Sequence, residues 1–232
     1  MNISGMIDHT LLKADATERE IVNLCHEAKT NHFATVCVNP CYVQIAAKIL
    51  HGTVVGVAAV VGFPLGATFT EVKVQEVLAV RAFGAKEVDM VMNIGCAKSA
   101  NWEAVEQDMM RVVEAAHSCG LMIKVIIETS LLTEDEKKRA AEIVTKVGAD
   151  FIKTSTGFAG GGATIEDVRN LKAWIGEGVK IKASGGIKTR ELALQLIEAG
   201  ADRLGTSAGM ELMHNSQSTK KASLISLSLL GK

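Results

Sequence analysis

The sequence predicts a single-domain α/β protein with the architecture of a (β/α)8 TIM barrel spanning residues 1–232. The length of 232 residues suits one such barrel. Short apolar runs alternate with helical patterns eight times along the chain. In addition, 48% of the residues are hydrophobic but only 4% are aromatic. A core of Val, Ile, Leu, Ala and Met suits parallel strands that are covered on both faces.

The predicted elements alternate from one end of the chain to the other. Strands are predicted at residues 4–8, 33–38, 54–62, 86–93, 121–128, 150–155, 179–184 and 203–207. Helices are predicted at residues 17–30, 41–50, 68–83, 101–118, 133–147, 164–175, 189–199 and 218–229. Such alternation indicates parallel βαβ units.

A recurring helix–glycine–strand pattern supports these assignments. A helical pattern, a glycine and a new apolar run follow one another at Gly84, Gly148 and Gly200, and Gly120 is a close variant. Glycine just past a helix end accommodates the left-handed conformation of the cap. We find no phosphate loop of the doubly wound kind near Asp8, which argues against an open sheet.

Composition and charge exclude several function classes. The formal net charge is −1 and no basic cluster is present, which argues against a nucleic-acid partner. The longest apolar run, at residues 54–63, is too short to cross a bilayer, and the N-terminus lacks the basic region of a signal peptide. Five irregularly spaced cysteines indicate reduced thiols rather than a zinc site. We expect a cytoplasmic protein with no metal and no membrane contact.

Several charged residues interrupt runs that should otherwise be apolar: Asp89, Lys124, Glu128, Lys153 and Lys182. Strand alternation predicts that residues 121, 123, 125 and 127 face the helices, so that Lys124 and Glu128 face the barrel axis. The same alternation places Lys182 opposite its two apolar neighbours, inside the barrel.

Buried lysines must form ion pairs or lose a proton. Ion pairs such as Lys124–Glu128 and Asp89–Lys182 are one interpretation. The other is chemical: Lys153 and Lys182 on adjacent strands bring more cations than the nearby carboxylates can neutralise, which favours a neutral amine. Lowering a lysine pKa to ~7 requires about 4.6 kcal/mol. A second ammonium about 4 Å away supplies roughly 4 kcal/mol. We therefore expect the neighbouring cation to supply most of the shift and burial the rest.

Glycine-rich loops follow the last strands. Residues 184–187 end the seventh strand and residues 204–209 end the eighth, where barrels commonly bind phosphate. Gly157 and the glycines at 160–162 could add a third wall. Each loop alone could be a tight turn, but together they favour a phosphate site. Its predicted residues are Gly157, Gly185, Gly186, Gly205, Thr206 and Ser207.

Five motifs, covering strands one, four, five, six and seven, resemble those of class I deoxyribose-phosphate aldolases in the same order. They read IDHTLL at 7–12, VDMV at 88–91, KVIIET at 124–129, DFIKTSTG at 150–157 and KASGGI at 182–187. The resemblance covers essentially the whole chain. It implies a lyase that reversibly cleaves 2-deoxy-D-ribose 5-phosphate to D-glyceraldehyde 3-phosphate and acetaldehyde.

The resemblance also implies roles for single residues. Lys153 would form the Schiff base, and Asp89 and Lys182 would exchange protons with the substrate. The surrounding polar network would comprise Asp8, Thr10, Lys124 and Thr156. No metal or other cofactor is implied, the ligand is a phosphorylated sugar, and a homodimer or homotetramer is expected.

Two positions depart from the family pattern. Phe158 stands where some members carry a basic residue, so we expect phosphate binding to depend on amides and hydroxyls. Some members end in a tyrosine that reaches the active site, whereas Tyr42 is the only tyrosine here, which puts tail-assisted proton transfer in doubt. Cys37, predicted near the barrel mouth, is either a passive wall residue or a site that reactive aldehydes alkylate.

Three alternatives stay open at this point. The barrel could be another Schiff-base enzyme, such as a transaldolase or a dehydratase. It could bind sugar phosphates without catalysis, or it could be an isomerase that uses Glu128 as its base.

Overall fold

The computed structural model describes residues 1–213 and contains a closed barrel of eight parallel strands. Each strand is hydrogen-bonded to the next one in the chain, and the eighth closes onto the first through Ile7 and Leu204. The strands are β1 (Ile7–Leu11), β2 (Thr35–Val38), β3 (Gly56–Val61), β4 (Glu87–Val91), β5 (Met122–Ile126), β6 (Phe151–Lys153), β7 (Lys180–Ser184) and β8 (Arg203–Thr206). The predicted fold class is confirmed.

Helices connect the strands. They are α1 (Glu18–Asn31), α2 (Val43–Ile49), α3 (Thr70–Ala82), α4 (Ile94–Lys98), α5 (Trp102–Ser118), α6 (Glu134–Lys146), α7 (Ile165–Trp174), α8 (Arg190–Glu198) and α9 (Gly209–Met213). Three 3-10 turns cover Ser4–Met6, Pro40–Tyr42 and Thr129–Leu131. The helix predicted at 218–229 lies outside the described residues.

Local sequence fixes where the helices begin and end. Thr17 and Thr133 begin α1 and α6 with capping boxes, because each hydroxyl accepts the N–H of a glutamate three residues later and that glutamate accepts the threonine N–H in return. The glycines predicted to follow helix ends all have a positive φ: Gly84, Gly120, Gly148 and Gly200. The predicted helix–glycine–strand pattern is confirmed at these four positions.

The first strand was predicted too early. Residues 4–6 form a 3-10 turn and β1 spans Ile7–Leu11, with Asp8 paired in register with Thr35. Ser4 and Gly5 favour a turn over a strand, and the apolar residues nearby do not distinguish the two. The short helix α4 was also not predicted, because its five residues carry too little periodicity.

The main core lies between the barrel and its helices. Ile123 and Val125 of β5 and Ile181 and Ala183 of β7 belong to it. The predicted alternation is therefore confirmed, since Lys124 and Lys182 lie on the opposite, inner face.

The barrel interior has an apolar side and an ionic side. Leu12, Cys37, Ala58 and Val60 form a small apolar cluster next to β1, β2 and β3, against which Phe63 packs. The charged side chains lie on the other side and concentrate on β4 to β8, where Lys124 and Arg203 lie 5.8 Å from the centre of the buried Phe151 ring. Among residues 1–213, no helix is both long and apolar enough to span a membrane.

Candidate active site

Strand register brings the predicted charged residues together inside the barrel. Asp89 of β4 lies beside Lys124 of β5, and Lys153 of β6 lies beside Lys182 of β7. Asp8 of β1 completes the predicted set. All five are buried, and Lys153 is the most exposed of them at 3%.

Asp89 is the central acceptor of this group. Its Oδ2 accepts hydrogen bonds from the Nζ atoms of Lys153 and Lys182, each at 2.7 Å. Its Oδ1 accepts from Lys124 Nζ at 3.0 Å. One carboxylate therefore binds three lysines from three successive strands.

Two further residues extend the group toward the start of the strands. Arg203 contacts Asp8 at 2.6 Å and Glu87 at 3.2 Å, while Glu87 also binds Lys124. Lys182 contacts Asp8 at 2.5 Å. We call the seven residues Asp8, Glu87, Asp89, Lys124, Lys153, Lys182 and Arg203 the buried ion cluster.

Glu87 and Arg203 are not among the site residues predicted from the sequence. Glu87 has the same strand parity as Asp89, which was an available signal, whereas Arg203 begins its strand and gave none. The alternative ion pair Lys124–Glu128 is wrong, because Lys124 binds Glu87 and Asp89. The Glu128 carboxylate accepts from Thr156 instead.

The seven residues of the buried ion cluster comprise four basic and three acidic side chains, so one positive charge is in excess if all are ionised. Burial acts to lower the pKa of Lys182, but attraction to Asp8 and Asp89 outweighs it and raises that pKa. The pKa of Lys124 is likewise raised against burial, chiefly by Asp89 and Asp8. These two lysines therefore keep their protons.

Lys153 behaves in the opposite way. Burial lowers its pKa, attraction to Asp89 opposes this, and repulsion from Lys182 adds to the lowering, so the net pKa lies below its usual value of 10.5. The predicted direction is confirmed. The predicted main cause is wrong, because burial contributes more than the neighbouring ammonium.

Burial also acts to raise the pKa of Asp89, but Lys124, Lys153 and Lys182 together hold it well below its usual range. Asp89 therefore stays ionised and can accept a proton only briefly. The Cys37 thiol lies 3.9 Å from Asp89 Oδ2 and is fully buried. Burial raises the pKa of Cys37 to about 11, which favours the passive wall residue over a reactive thiol.

A cavity of about 280 Å³ opens at the carboxyl ends of the strands. Most of the predicted site residues line it: Thr10, Lys153, Thr156, Gly157, Gly185, Gly186, Gly205, Thr206 and Ser207. Asp8, Asp89, Lys124 and Lys182 are not in its lining and lie deeper in the barrel. Within the buried ion cluster, Lys153 is thus the residue that reaches the cavity.

The loops after β7 and β8 form another part of the cavity wall. Gly185 and Gly186 have φ values of 86° and 74°, which residues with side chains rarely adopt. The Thr206 hydroxyl donates to Ile187 O at 2.7 Å and so ties the two loops together. A side chain at Gly205 would place its Cβ 2.9 Å from Lys182 Cε, so this position keeps the β8 backbone close to the lysine.

Two lysines that the sequence analysis did not select also line the cavity. Lys13 follows β1, and Lys188 follows the loop that contains Gly185 and Gly186. Both lie close to strand ends, which was the only signal available. Lys13 and Lys188 therefore add two cations to a cavity in which the sequence predicts amides and hydroxyls as the phosphate-binding groups.

The fold and the site define a (β/α)8-barrel enzyme with a low-pKa lysine at the carboxyl end of its strands. The model of the DeoC/LacD aldolase family matches residues 4–215, and the chain belongs to that family. Aldolases of this kind are lyases, as the resemblance predicted. Within residues 1–213, no three His, Cys, Asp or Glu side chains are grouped to hold a metal ion.

Individual relatives agree with this assignment. The chain is 71% identical over 213 residues to a deoxyribose-phosphate aldolase of Desulfitobacterium hafniense. The matched region covers 92% of this chain and 98% of the relative. It is 50% identical to the enzyme of a Thermoanaerobacter species over 92% of this chain and 96% of that protein.

Solved structures agree as well. The deoxyribose phosphate aldolase of Aeropyrum pernix, described as a tetramer, superposes with a TM-score of 0.86 at 33% identity, covering 95% of this chain and 92% of that one. An aldolase described as QR15 gives a TM-score of 0.87 at 40% identity, covering 97% and 99%. The dimer or tetramer and the cytoplasmic location expected for this chain stay predictions.

Proposed function

We propose that the protein reversibly cleaves 2-deoxy-D-ribose 5-phosphate to D-glyceraldehyde 3-phosphate and acetaldehyde through a Schiff base on Lys153. One observation carries the proposal. Lys153 combines a lowered pKa with a place in the cavity wall, whereas Lys124 and Lys182 have raised pKa values and lie beneath it.

The first step follows from the charge state of Lys153. Only a neutral amine has a lone pair with which to attack carbon 1 of the open-chain sugar. The carbinolamine must then lose its hydroxyl as water, which requires a proton. Lys182 holds one, and Asp89 Oδ2 contacts both amines, so Asp89 can carry the proton from Lys182 to the intermediate.

The second step breaks the bond between carbons 2 and 3. Its electron pair moves toward the iminium nitrogen and forms the enamine, while a general base takes the proton of the carbon 3 hydroxyl, which becomes the aldehyde of glyceraldehyde 3-phosphate. Protonation of carbon 2 and addition of water then release acetaldehyde and restore the Lys153 amine.

The phosphate of the sugar would bind where the loops after β7 and β8 line the cavity. Gly185, Gly186 and residues 205–207 lie there, and Lys13 and Lys188 add positive charge. Lys153 and these groups would bind the two ends of a five-carbon phosphorylated aldehyde.

Borohydride trapping tests the proposal. Reduction in the presence of deoxyribose 5-phosphate should add mass to the peptide that contains Lys153, and coupled assays should detect acetaldehyde. Lys153→Ala should abolish both signals, while Lys138→Ala, at an exposed position of α6, should leave them intact. An adduct on another lysine, or turnover that survives Lys153→Ala, would overturn the proposal. A trapped adduct without acetaldehyde release would point to a transaldolase-like enzyme.

A further inference from the structure

Glu128 has an unusual backbone conformation just after β5. Its φ is 55° and its ψ is 68°, a left-handed conformation that residues with side chains rarely adopt. The residue is 1% exposed. Such a conformation persists when surrounding contacts fix it, and it often occurs at functional sites.

The contacts that hold Glu128 come from Thr156. Glu128 Oε2 accepts the Thr156 N–H at 3.1 Å and also accepts the Thr156 hydroxyl. The second carboxylate oxygen, Oε1, is buried and has no hydrogen-bond partner among residues 1–213. A buried carboxylate that is half unsatisfied is costly, so packing alone does not explain it.

These bonds determine what the Thr156 hydroxyl can still do. A hydroxyl has one proton to donate and two lone pairs. Glu128 Oε2 already accepts the Thr156 N–H, so this oxygen acts as an acceptor and the Thr156 hydroxyl donates its proton to it. One lone pair accepts the Phe158 N–H at 3.0 Å. One lone pair is left, and Thr156 lines the cavity.

Thr156 also occupies a specific place along the cavity. It lies three residues after Lys153, and it lines the same cavity as Lys153, Gly185 and Gly186. In a sugar phosphate held between Lys153 and these glycines, the hydroxyl-bearing carbons lie between the two ends.

We propose that Glu128 is a positioning residue that makes Thr156 an obligate hydrogen-bond acceptor for a hydroxyl of the sugar. Glu128 accepts the hydrogen bond of the Thr156 hydroxyl, so the remaining lone pair accepts from a substrate hydroxyl and orients that hydroxyl during cleavage. Glu128 itself touches no substrate. This inference rests on the proposed aldolase function and deepens it.

Two reactions of the same enzyme separate this role from a general structural one. Cleavage of deoxyribose 5-phosphate involves the sugar hydroxyls. Exchange of the methyl protons of acetaldehyde in D2O, followed by NMR, needs only the Schiff base on Lys153 and its enamine. If the parent protein neither cleaves nor exchanges, the proposed function fails; if it does both, the variants test Glu128.

We expect Glu128→Leu and Thr156→Val each to lower kcat for cleavage about tenfold, the size of one lost hydrogen bond, while exchange falls less than threefold. The double variant should fall no further than either single variant. Thr156→Ser keeps the hydroxyl and should restore most of the activity. Glu142→Leu, at an exposed position of α6, is the matched control.

Glu128→Gln distinguishes positioning from proton transfer. The Thr156 N–H selects the amide oxygen of Gln, so the hydroxyl still donates to it, and cleavage should stay within about threefold of the parent rate. Loss with Gln as severe as with Leu would overturn the positioning role, because charge rather than acceptance would be required. The proposal also fails if Glu128→Leu cleaves normally, or if exchange and cleavage fall together in both Glu128→Leu and Thr156→Val.

Discussion

Lys153 and Lys182 donate to the same oxygen, Asp89 Oδ2, at equal distances of 2.7 Å, yet their pKa values shift in opposite directions. The difference has a physical cause. Lys182 has a second carboxylate, Asp8, within 2.5 Å, whereas the ion-pair partner of Lys153 is Asp89 alone among the described residues. The pair thus places an amine with a lowered pKa beside one that keeps its proton.

The pH dependence of Schiff-base formation should depend on this pair. A protonated Lys153 cannot attack, so the rate falls as the pH drops through the pKa of Lys153. Lys182→Met removes a repelling charge, which raises the pKa of Lys153 and moves this decline to higher pH. The rate of acetaldehyde trapping by borohydride across a pH series measures the shift. Lys138→Met should leave the profile in place, and a move to lower pH would contradict the electrostatic account.

Asp89→Asn should damage both stability and turnover. It removes the charge that binds three buried lysines, and breaking a buried ion pair by removing one partner costs about 3–5 kcal/mol. Urea unfolding should therefore give a lower free energy of unfolding, and kcat should fall by a factor of about 1,000 or more. Asp15→Asn, at an exposed position, serves as the control. Unchanged unfolding would show that the cluster contributes little to the fold.

Gly205→Ala should displace Lys182. The added Cβ would lie 2.9 Å from both Lys182 Cε and Ser184 Cβ, closer than such atoms pack. Overpacking of this kind costs about 1–3 kcal/mol in unfolding free energy. We expect that loss together with a decrease in kcat of about tenfold, measured by urea titration and coupled turnover. Gly5→Ala is the matched control, since a Cβ there meets no atom within 4 Å.

Lys188→Ala should weaken phosphate recognition. Lys188 lines the cavity beside Gly185 and Gly186, so its removal should raise KM for deoxyribose 5-phosphate roughly tenfold. KM for unphosphorylated deoxyribose should change less than twofold, because the missing contact is to phosphate. Ser207→Glu should act in the same direction through repulsion. Equal effects on both sugars would place the phosphate elsewhere.

The inward direction of the charged side chains was predictable from sequence, because the alternation of side chains between the two faces of a strand is a local property. Lys124 lies between Ile123 and Val125, so its inward direction follows from the strand alone. The inward direction of Glu87 follows from its strand parity, but its contact with Lys124, and that of Arg203 with Asp8, depend on how neighbouring strands are staggered around the closed barrel. Lys13 and Lys188 lie in loops, where no periodicity determines the direction of a side chain.

The separation of exposed cations at the cavity mouth from the buried ion cluster determines how the protein responds to ionic strength. Leu12, Cys37, Ala58 and Val60 occupy one side, and the buried ion cluster lies on the other with little exposed surface. Dissolved salt screens exposed charges much more than buried ones. Added salt should therefore weaken attraction of the phosphorylated sugar to Lys13 and Lys188 at the mouth, while the reactivity of the amine beneath them stays nearly constant.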